Sequence, residues 1–123
     1  MEQDTYTTDV MFRYDTTKDF NGTIFAILPH NVDTFKGDIT TYQHIGQHSN
    51  GDHYVCLQQS RPATETEYAD LKSEMESIGY NIKVVKKRNY DKYLKSYYEV
   101  RGIKQDSFVV TTKNGNEFNN LTL

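Results

Sequence analysis

The sequence predicts an α+β fold, with a mostly antiparallel sheet of about five to six strands and one long helix packed on one face. Several short segments alternate apolar and polar residues, as half-buried strands do. Only residues 62–80 sustain a long helical period, and a short second helix is indicated at residues 89–100. The strands occur in runs instead of alternating regularly with helices. A chain of 123 residues fits one domain, residues 1–123.

The long helix carries its own start and stop signals. Thr64 can cap the N-terminus, and Glu67 can reach back to the backbone N–H of the cap. An apolar stripe follows at helical spacing, formed by Tyr68, Leu71, Met75 and Ile78. Gly79 is placed to end the helix, with Tyr80 folding back onto Met75.

The first part of the chain predicts two strands. Residues 1–8 are polar and are expected to be frayed. Val10, Phe12 and Tyr14 alternate with other residues and predict a first strand. Residues 23–28 are apolar on both faces and predict a central strand that Pro29 stops.

Residues 39–45 and 53–59 are predicted to be the two arms of a hairpin. The connection between them contains Asn50-Gly51, a dipeptide that tolerates positive φ at both central positions of a turn. In the second arm, Tyr54, Cys56 and Gln58 would share one face.

The last part predicts a strand over residues 82–87, with Ile82 and Val84 buried, and the short second helix. On that helix Tyr90, Leu94 and either Tyr97 or Tyr98 would share one side. A further strand is expected at residues 107–112. Residues 118–123 either pair as an edge strand or trail off, so no firm assignment is made for 113–123.

Composition indicates a cytoplasmic protein. The single cysteine, Cys56, excludes an internal disulfide framework and suits a reducing compartment. The N-terminus has neither a basic leader nor an apolar run, so no signal peptide is expected, and no apolar stretch is long enough to span a membrane. The aromatic side chains are ten tyrosines and six phenylalanines, and the sequence contains no tryptophan.

Charge is distributed unevenly along the chain. Residues 83–104 contain eight basic and two acidic residues, whereas the rest contains six basic and fifteen acidic residues. This segment either packs beside the acidic long helix or meets an anionic partner. Its basic residues alternate with tyrosines, as they do in proteins that bind single-stranded nucleic acid. The residues proposed for that alternative function are Lys86, Lys87, Arg88, Tyr90 and Lys92.

A second alternative is a metal- or thiol-dependent enzyme at His44, His48, His53 and Cys56. The spacing of these residues does not match a known zinc motif, and an isolated cysteine is typical of a small buried side chain. No phosphate-binding loop, dinucleotide fingerprint or nucleophile elbow is present. The sequence therefore predicts that the protein is not an enzyme. No catalytic residue, metal or cofactor is assigned.

The hairpin concentrates neutral polar and aromatic side chains, which suit recognition of another protein. The leading hypothesis is therefore a protein-binding function. The expected contact residues are Tyr42, Gln43, His44, Gln47, His48 and His53. The alternative interpretation is that these residues form a solvated sheet edge. Unpaired sheet edges would also permit a homodimer.

Residues 42–48 (YQHIGQH), 62–71 (PATETEYADL) and 79–88 (GYNIKVVKKR) together resemble a family of short uncharacterised proteins of bacteriophages and conjugative elements. The resemblance covers roughly the middle two-fifths of the chain. It implies a bacterial host cytoplasm and a small accessory protein that binds a host or defence factor. It implies no activity and no site.

Overall fold

The computed structural model describes residues 6–102, which contain six strands and three helices. In chain order they are β1 (Thr8–Asp15), β2 (Ile24–Val32), β3 (Ile39–Gln43), β4 (Gln47–Gly51), α1 (His53–Gln58), β5 (Ser60–Pro62), α2 (Glu65–Ser77), β6 (Ile82–Val84) and α3 (Tyr90–Val100). The strands expected at 107–112 and 118–123 lie outside the described residues, as do residues 1–5 of the segment expected to be frayed.

The six strands form one sheet, which confirms the predicted α+β fold. Its order is β4-β3-β2-β1, and every pair along this path is antiparallel. The far side of β1 is shared between two short strands. β5 pairs antiparallel with residues 13–15, and β6 pairs parallel with residues 8–10. The strand β4 therefore forms one edge of the described sheet.

Each face of the sheet carries its own hydrophobic cluster and its own helices. On one face Val10, Phe12, Ala26, Leu28 and Tyr42 pack with Leu71 and Met75 of α2. On the other, Met11, Phe25, Ile27, Val32 and Ile39 pack with side chains of α1 and α3. Successive side chains of a strand point to opposite faces of the sheet. Because β1 and β2 contain apolar residues at consecutive positions, both of their faces are buried.

The long helix forms as predicted. The Thr64 side chain accepts from the Glu67 N–H at 3.2 Å, and Glu67 accepts from the Thr64 N–H at 2.9 Å. Gly79 has φ +112°, and the Tyr80 N–H donates to the Met75 carbonyl at 3.1 Å. One part of the stripe differs, because Ile78 sits at the C-cap and is 53% exposed.

The predicted hairpin exists, but its second arm and its turn were assigned wrongly. β3 pairs with residues 47–51, and residues 53–58 form the helix α1 instead of a strand. The Asp52 carboxylate explains the helix, since it accepts from the N–H groups of Tyr54 and Val55. The turn lies at Ile45-Gly46, both with positive φ, and not at Asn50-Gly51.

The second strand does not stop at Pro29 but continues to Val32. Its register against β3 shifts between Leu28 and Val32. A proline has no N–H to donate to the ladder, and such an irregularity accommodates it inside a strand.

The helix α3 also forms as predicted, with the Asn89 side chain accepting from the Lys92 N–H. It packs on the face opposite α2, so the part of the basic segment from Arg88 to Arg101 does not lie beside the acidic helix. Tyr93 donates to the Gly37 carbonyl at 3.1 Å, and a Cβ at Gly37 would lie 2.6 Å from the Tyr93 hydroxyl. The strand predicted at residues 82–87 is shorter, since β6 ends at Val84. In it Ile82 packs on the α2 face, while Val84 is 39% exposed instead of buried.

A buried arginine secures α1. Arg13 is 8% exposed and donates to the Ser60 hydroxyl at 2.8 Å, the Ser60 carbonyl at 2.9 Å and the Leu57 carbonyl at 3.3 Å. Burial lowers the pKa of this guanidinium from its ordinary value. A cation at a helix C-terminus satisfies the last carbonyls and complements the helix dipole.

Substitution in α2 tests the packing of that face. Met75→Ala should destabilise the fold by about 2–5 kcal/mol, because a fully buried side chain leaves a cavity. Ile78→Ala, on the same helix but exposed, should change stability by less than about 0.5 kcal/mol. Urea unfolding of both variants measures the difference. Equal losses would contradict the assigned face of α2.

Candidate functional site

The turn between β3 and β4 has an unusual backbone. Ile45 has φ 68° and Gly46 has φ 70°. Glycine adopts this left-handed region readily, but a β-branched residue does so only under strain. Ile45 is the non-glycine residue with positive φ in the described part of the chain. Its neighbours must therefore hold it in this conformation.

The carboxylate of Glu74, on α2, holds the turn. Its Oε2 accepts from the Tyr42 hydroxyl, from the Ile45 N–H at 2.8 Å and from the Gly46 N–H at 3.2 Å. Its Oε1 accepts from Nδ1 of His44 at 2.5 Å. One carboxylate thus accepts from four donors within residues 42–46, at the end of β3 and in the turn, and we call this arrangement the Glu74 clasp.

Electrostatics favours the ionised form of this carboxylate. The hydrogen bond from Tyr42 is the largest cause that lowers the pKa of Glu74 to about 2, and the donors from His44, Gly46 and Ile45 contribute further. The same contact to Glu74, followed by burial, raises the pKa of the Tyr42 hydroxyl. Tyr42 therefore stays protonated and remains a donor to the clasp.

The clasp depends on the packing of α2. Leu71 and Met75 are buried against the sheet, and Glu74 lies between them in sequence, one helical turn after Leu71. Residues three and four apart share a helix face, so Glu74 projects toward the sheet at its margin. The Tyr42 side chain is fully buried within the same cluster, and its hydroxyl donates to the Glu74 carboxylate.

Residues 43–47 at the end of this hairpin are exposed, and we call them the hairpin tip. Ile45 is 76% exposed at its apex. Beside the tip, His48 Nε2 lies 2.8 Å from the Tyr80 hydroxyl, and the His48 ring contacts Tyr42 edge to face. A turn held by hydrogen bonds thus presents one large apolar side chain among polar neighbours.

The residues predicted for protein binding divide between surface and interior. Gln43, His44, Gln47 and His48 are exposed around the hairpin. Tyr42 has no exposed surface, so it supports the tip from within.

His53 lies apart from them, on α1, and is 5% exposed. Its Nδ1 is buried without a hydrogen-bond partner, and burial together with Arg88 lowers its pKa to about 4.

The residues of the predicted metal or thiol site are not brought together. His44 and His48 contact groups on the α2 face, whereas His53 and Cys56 belong to α1, and Cys56 packs on the opposite face of the sheet. Burial raises the pKa of the Cys56 thiol, which disfavours the reactive thiolate. Within residues 6–102, no group of three or more histidine, cysteine, aspartate or glutamate side chains is arranged to hold a metal ion.

Of the predicted nucleic-acid residues, Lys87, Arg88 and Tyr90 line one shallow surface cavity. Lys86, Lys87 and Tyr90 are exposed, and Arg88 is half-buried beside them. Lys92 is not part of this group, since its Nζ lies 3.1 Å from the Asp9 carboxylate.

Sequence reasoning missed Ile45 and Glu74, the two residues on which the tip depends. One signal for Glu74 was present, because an acid three residues after Leu71 and four before Ile78 interrupts the apolar stripe. Ile45-Gly46 contains the glycine of a tight turn, but isoleucine is disfavoured there.

Removal of the carboxylate tests the clasp. Because the folded pKa of Glu74 is depressed, its stabilisation is present above the ordinary value of 4.5 and is lost as pH falls toward about 2. Glu74→Gln should therefore be less stable than the parent at neutral pH, and this difference should shrink as pH falls through that window. Urea midpoints measured across this pH range check the expectation.

Glu76→Gln is the matched control, because it removes a nearby α2 carboxylate whose contact is with Lys72. That variant should show a small difference at neutral pH. A Glu74→Gln deficit that does not change with pH would contradict the clasp.

Comparisons with protein-family models, with curated proteins and with solved structures returned no match. Within the part of the chain that the structure describes, no helix has the length and apolar character needed to cross a membrane. The assignment of function therefore depends on the geometry of the chain itself.

Proposed function

We propose that this chain is a non-enzymatic binding protein that recognises another protein through the hairpin tip. Ile45 would enter an apolar pocket of the partner, and Gln43, His44, Gln47 and His48 would form the polar rim around it. The observation that carries this proposal is the Glu74 clasp, which holds an exposed isoleucine in a strained conformation.

Strain of this kind supports a functional role. A residue in a sparsely populated backbone region destabilises the fold by about 1–3 kcal/mol and persists only where its surroundings enforce it. Asparagine or glycine at position 45 would relieve most of that strain. An exposed isoleucine gives no compensating burial within the described chain, whereas its burial in a partner would contribute about 1.5–3 kcal/mol.

The number of hydrogen bonds that order the tip supports the same interpretation. A loop that is already ordered loses little conformational entropy when it binds, so more of the contact energy appears as affinity. Four donors fix the turn to α2, and the His48–Tyr80 contact fixes the adjacent strand. The phage and conjugative-element resemblance would place such a partner among host or defence proteins in a bacterial cytoplasm.

A photocrosslinking experiment tests this proposal. A benzophenone amino acid at Gln47, beside the apex, should give one dominant protein adduct in bacterial cells, identified by mass spectrometry. Ile45→Asn in the same chain should reduce that adduct by about tenfold or more, because the apolar anchor is lost. Its stability in urea should equal or exceed that of the parent, since asparagine accepts positive φ.

Phe20→Asn is the control, because Phe20 is another large apolar side chain in a loop and is 63% exposed. It should leave the adduct unchanged. An adduct of twice the mass of the chain would identify the partner as a second copy. Absence of any adduct, or an adduct insensitive to Ile45→Asn, would refute binding through the tip.

A further inference from the structure

A guanidinium group surrounded by tyrosine rings lies away from the hairpin tip. The Arg88 Cζ is 4.0 Å from the ring centroid of Tyr93, 5.0 Å from that of Tyr54 and 5.7 Å from that of Tyr90. Its Nη2 donates to the Tyr54 hydroxyl at 2.9 Å. We call Arg88, its three tyrosines and the neighbouring Lys86 and Lys87 the Arg88 cluster.

The cluster holds positive charge that residues 6–102 do not neutralise by direct pairing. Arg88, Lys86 and Lys87 form no ion pair within that range, whereas Arg61, Lys72 and Lys92 each contact a carboxylate. The hydrogen bond to Tyr54 uses one N–H of the guanidinium and leaves the others for a ligand. Asp91 is the carboxylate that lines the same shallow cavity, of about 410 Å³, with Lys87, Arg88 and Tyr90. The Asp52 carboxylate, which accepts from the Tyr54 N–H, adds a second negative charge nearby. An anionic ligand would therefore meet three cations against two carboxylates, a net positive surface.

Two rings of the cluster are available for stacking. Tyr54 is 60% exposed and Tyr90 is 59% exposed, and they come from different helices, α1 and α3. Tyr93 lies beneath them, half-buried, and stacks with Tyr90 at a centroid distance of 6.0 Å. The helices thus hold two exposed aromatic surfaces beside the Arg88 guanidinium before any ligand arrives, and two exposed lysines, Lys86 and Lys87, directly precede Arg88 in the chain.

This combination favours one class of ligand. A free phosphate would engage the cations but gain nothing from the rings, and an acidic protein segment likewise needs only charge. Single-stranded nucleic acid uses both, because its phosphates meet cations while its unstacked bases lie on aromatic rings. A duplex keeps its bases stacked and cannot use Tyr54 or Tyr90 in this way.

We infer that the Arg88 cluster binds single-stranded nucleic acid without sequence preference. Arg88, Lys86 and Lys87 contact the phosphates, and Tyr54 and Tyr90 each carry a base. The inference adds Tyr54, from the distant α1, to the basic segment, and it leaves out Lys92. It is independent of protein binding through the hairpin tip, which uses none of these residues.

Fluorescence polarisation with a labelled oligo-dT of about 12 nucleotides, at about 50 mM salt, tests the inference. Tyr54→Ala and Tyr90→Ala should each weaken binding about fivefold or more, because each removes a stacking surface. Three phosphate contacts predict a slope of about −2 for log affinity against log salt, and Lys87→Ala should flatten it by about 0.7. Asp91→Asn should tighten binding, since it removes the opposing carboxylate.

Tyr6→Ala and Lys18→Ala are the controls, since both residues are exposed and lie outside the cluster. Neither should change the affinity for oligo-dT by more than about twofold. A duplex of equal length should bind more weakly, and poly-glutamate should compete poorly. No binding at low salt, equal affinity for duplex, equal competition by poly-glutamate, or insensitivity to both tyrosine variants would overturn the inference.

Discussion

The hydrogen bonds accepted by the Glu74 carboxylate are the interaction on which the hairpin depends. They join α2 to the turn after β3, and they satisfy the hydroxyl of the fully buried Tyr42. A buried hydroxyl without a partner would be unfavourable, and Ile45 would have nothing to hold it at positive φ. The capping box and the burial of Leu71 and Met75 place Glu74 where it can act. Core packing on this face thus determines the geometry of an exposed surface.

The opposite face of the sheet uses polar contacts to secure two helices. Arg13 caps the end of α1, and His30 joins β2 to α3 because its Nε2 accepts from the Asn89 N–H while its Nδ1 contacts Asp9. These contacts bring α1 and α3 close enough for Arg88 to touch rings from both. The acidic helix α2 therefore lies on one face, and Arg88 and α3 lie on the other. The two proposed surfaces follow from this division.

Local signals in the sequence were enough to predict the fold class, α2 with its caps, α3 and the first two strands. They failed at α1, where a local capping signal was missed, and at the hairpin turn, where a tertiary contact decides the outcome. Tyr54, Val55 and Cys56 have strand-like character, yet Asp52 caps them into a helix. The Asn50-Gly51 pair is a strong turn signal, but Glu74, distant in sequence, stabilises the turn at Ile45 instead. The tip and Tyr54 in the Arg88 cluster depend on such distant pairs, which spacing along one sequence does not reveal.

Amide hydrogen exchange at Ile45 and Gly46 tests most directly whether Glu74 shapes the hairpin tip. Both amides lie in an exposed turn and would exchange rapidly if they faced water alone. Because each donates to the carboxylate, both should exchange slowly in the parent protein and rapidly in Glu74→Ala, which removes the acceptor, while the amides of β1 and β2 remain protected. Rapid exchange at both positions in the parent would contradict the clasp and the protein-binding surface that depends on it.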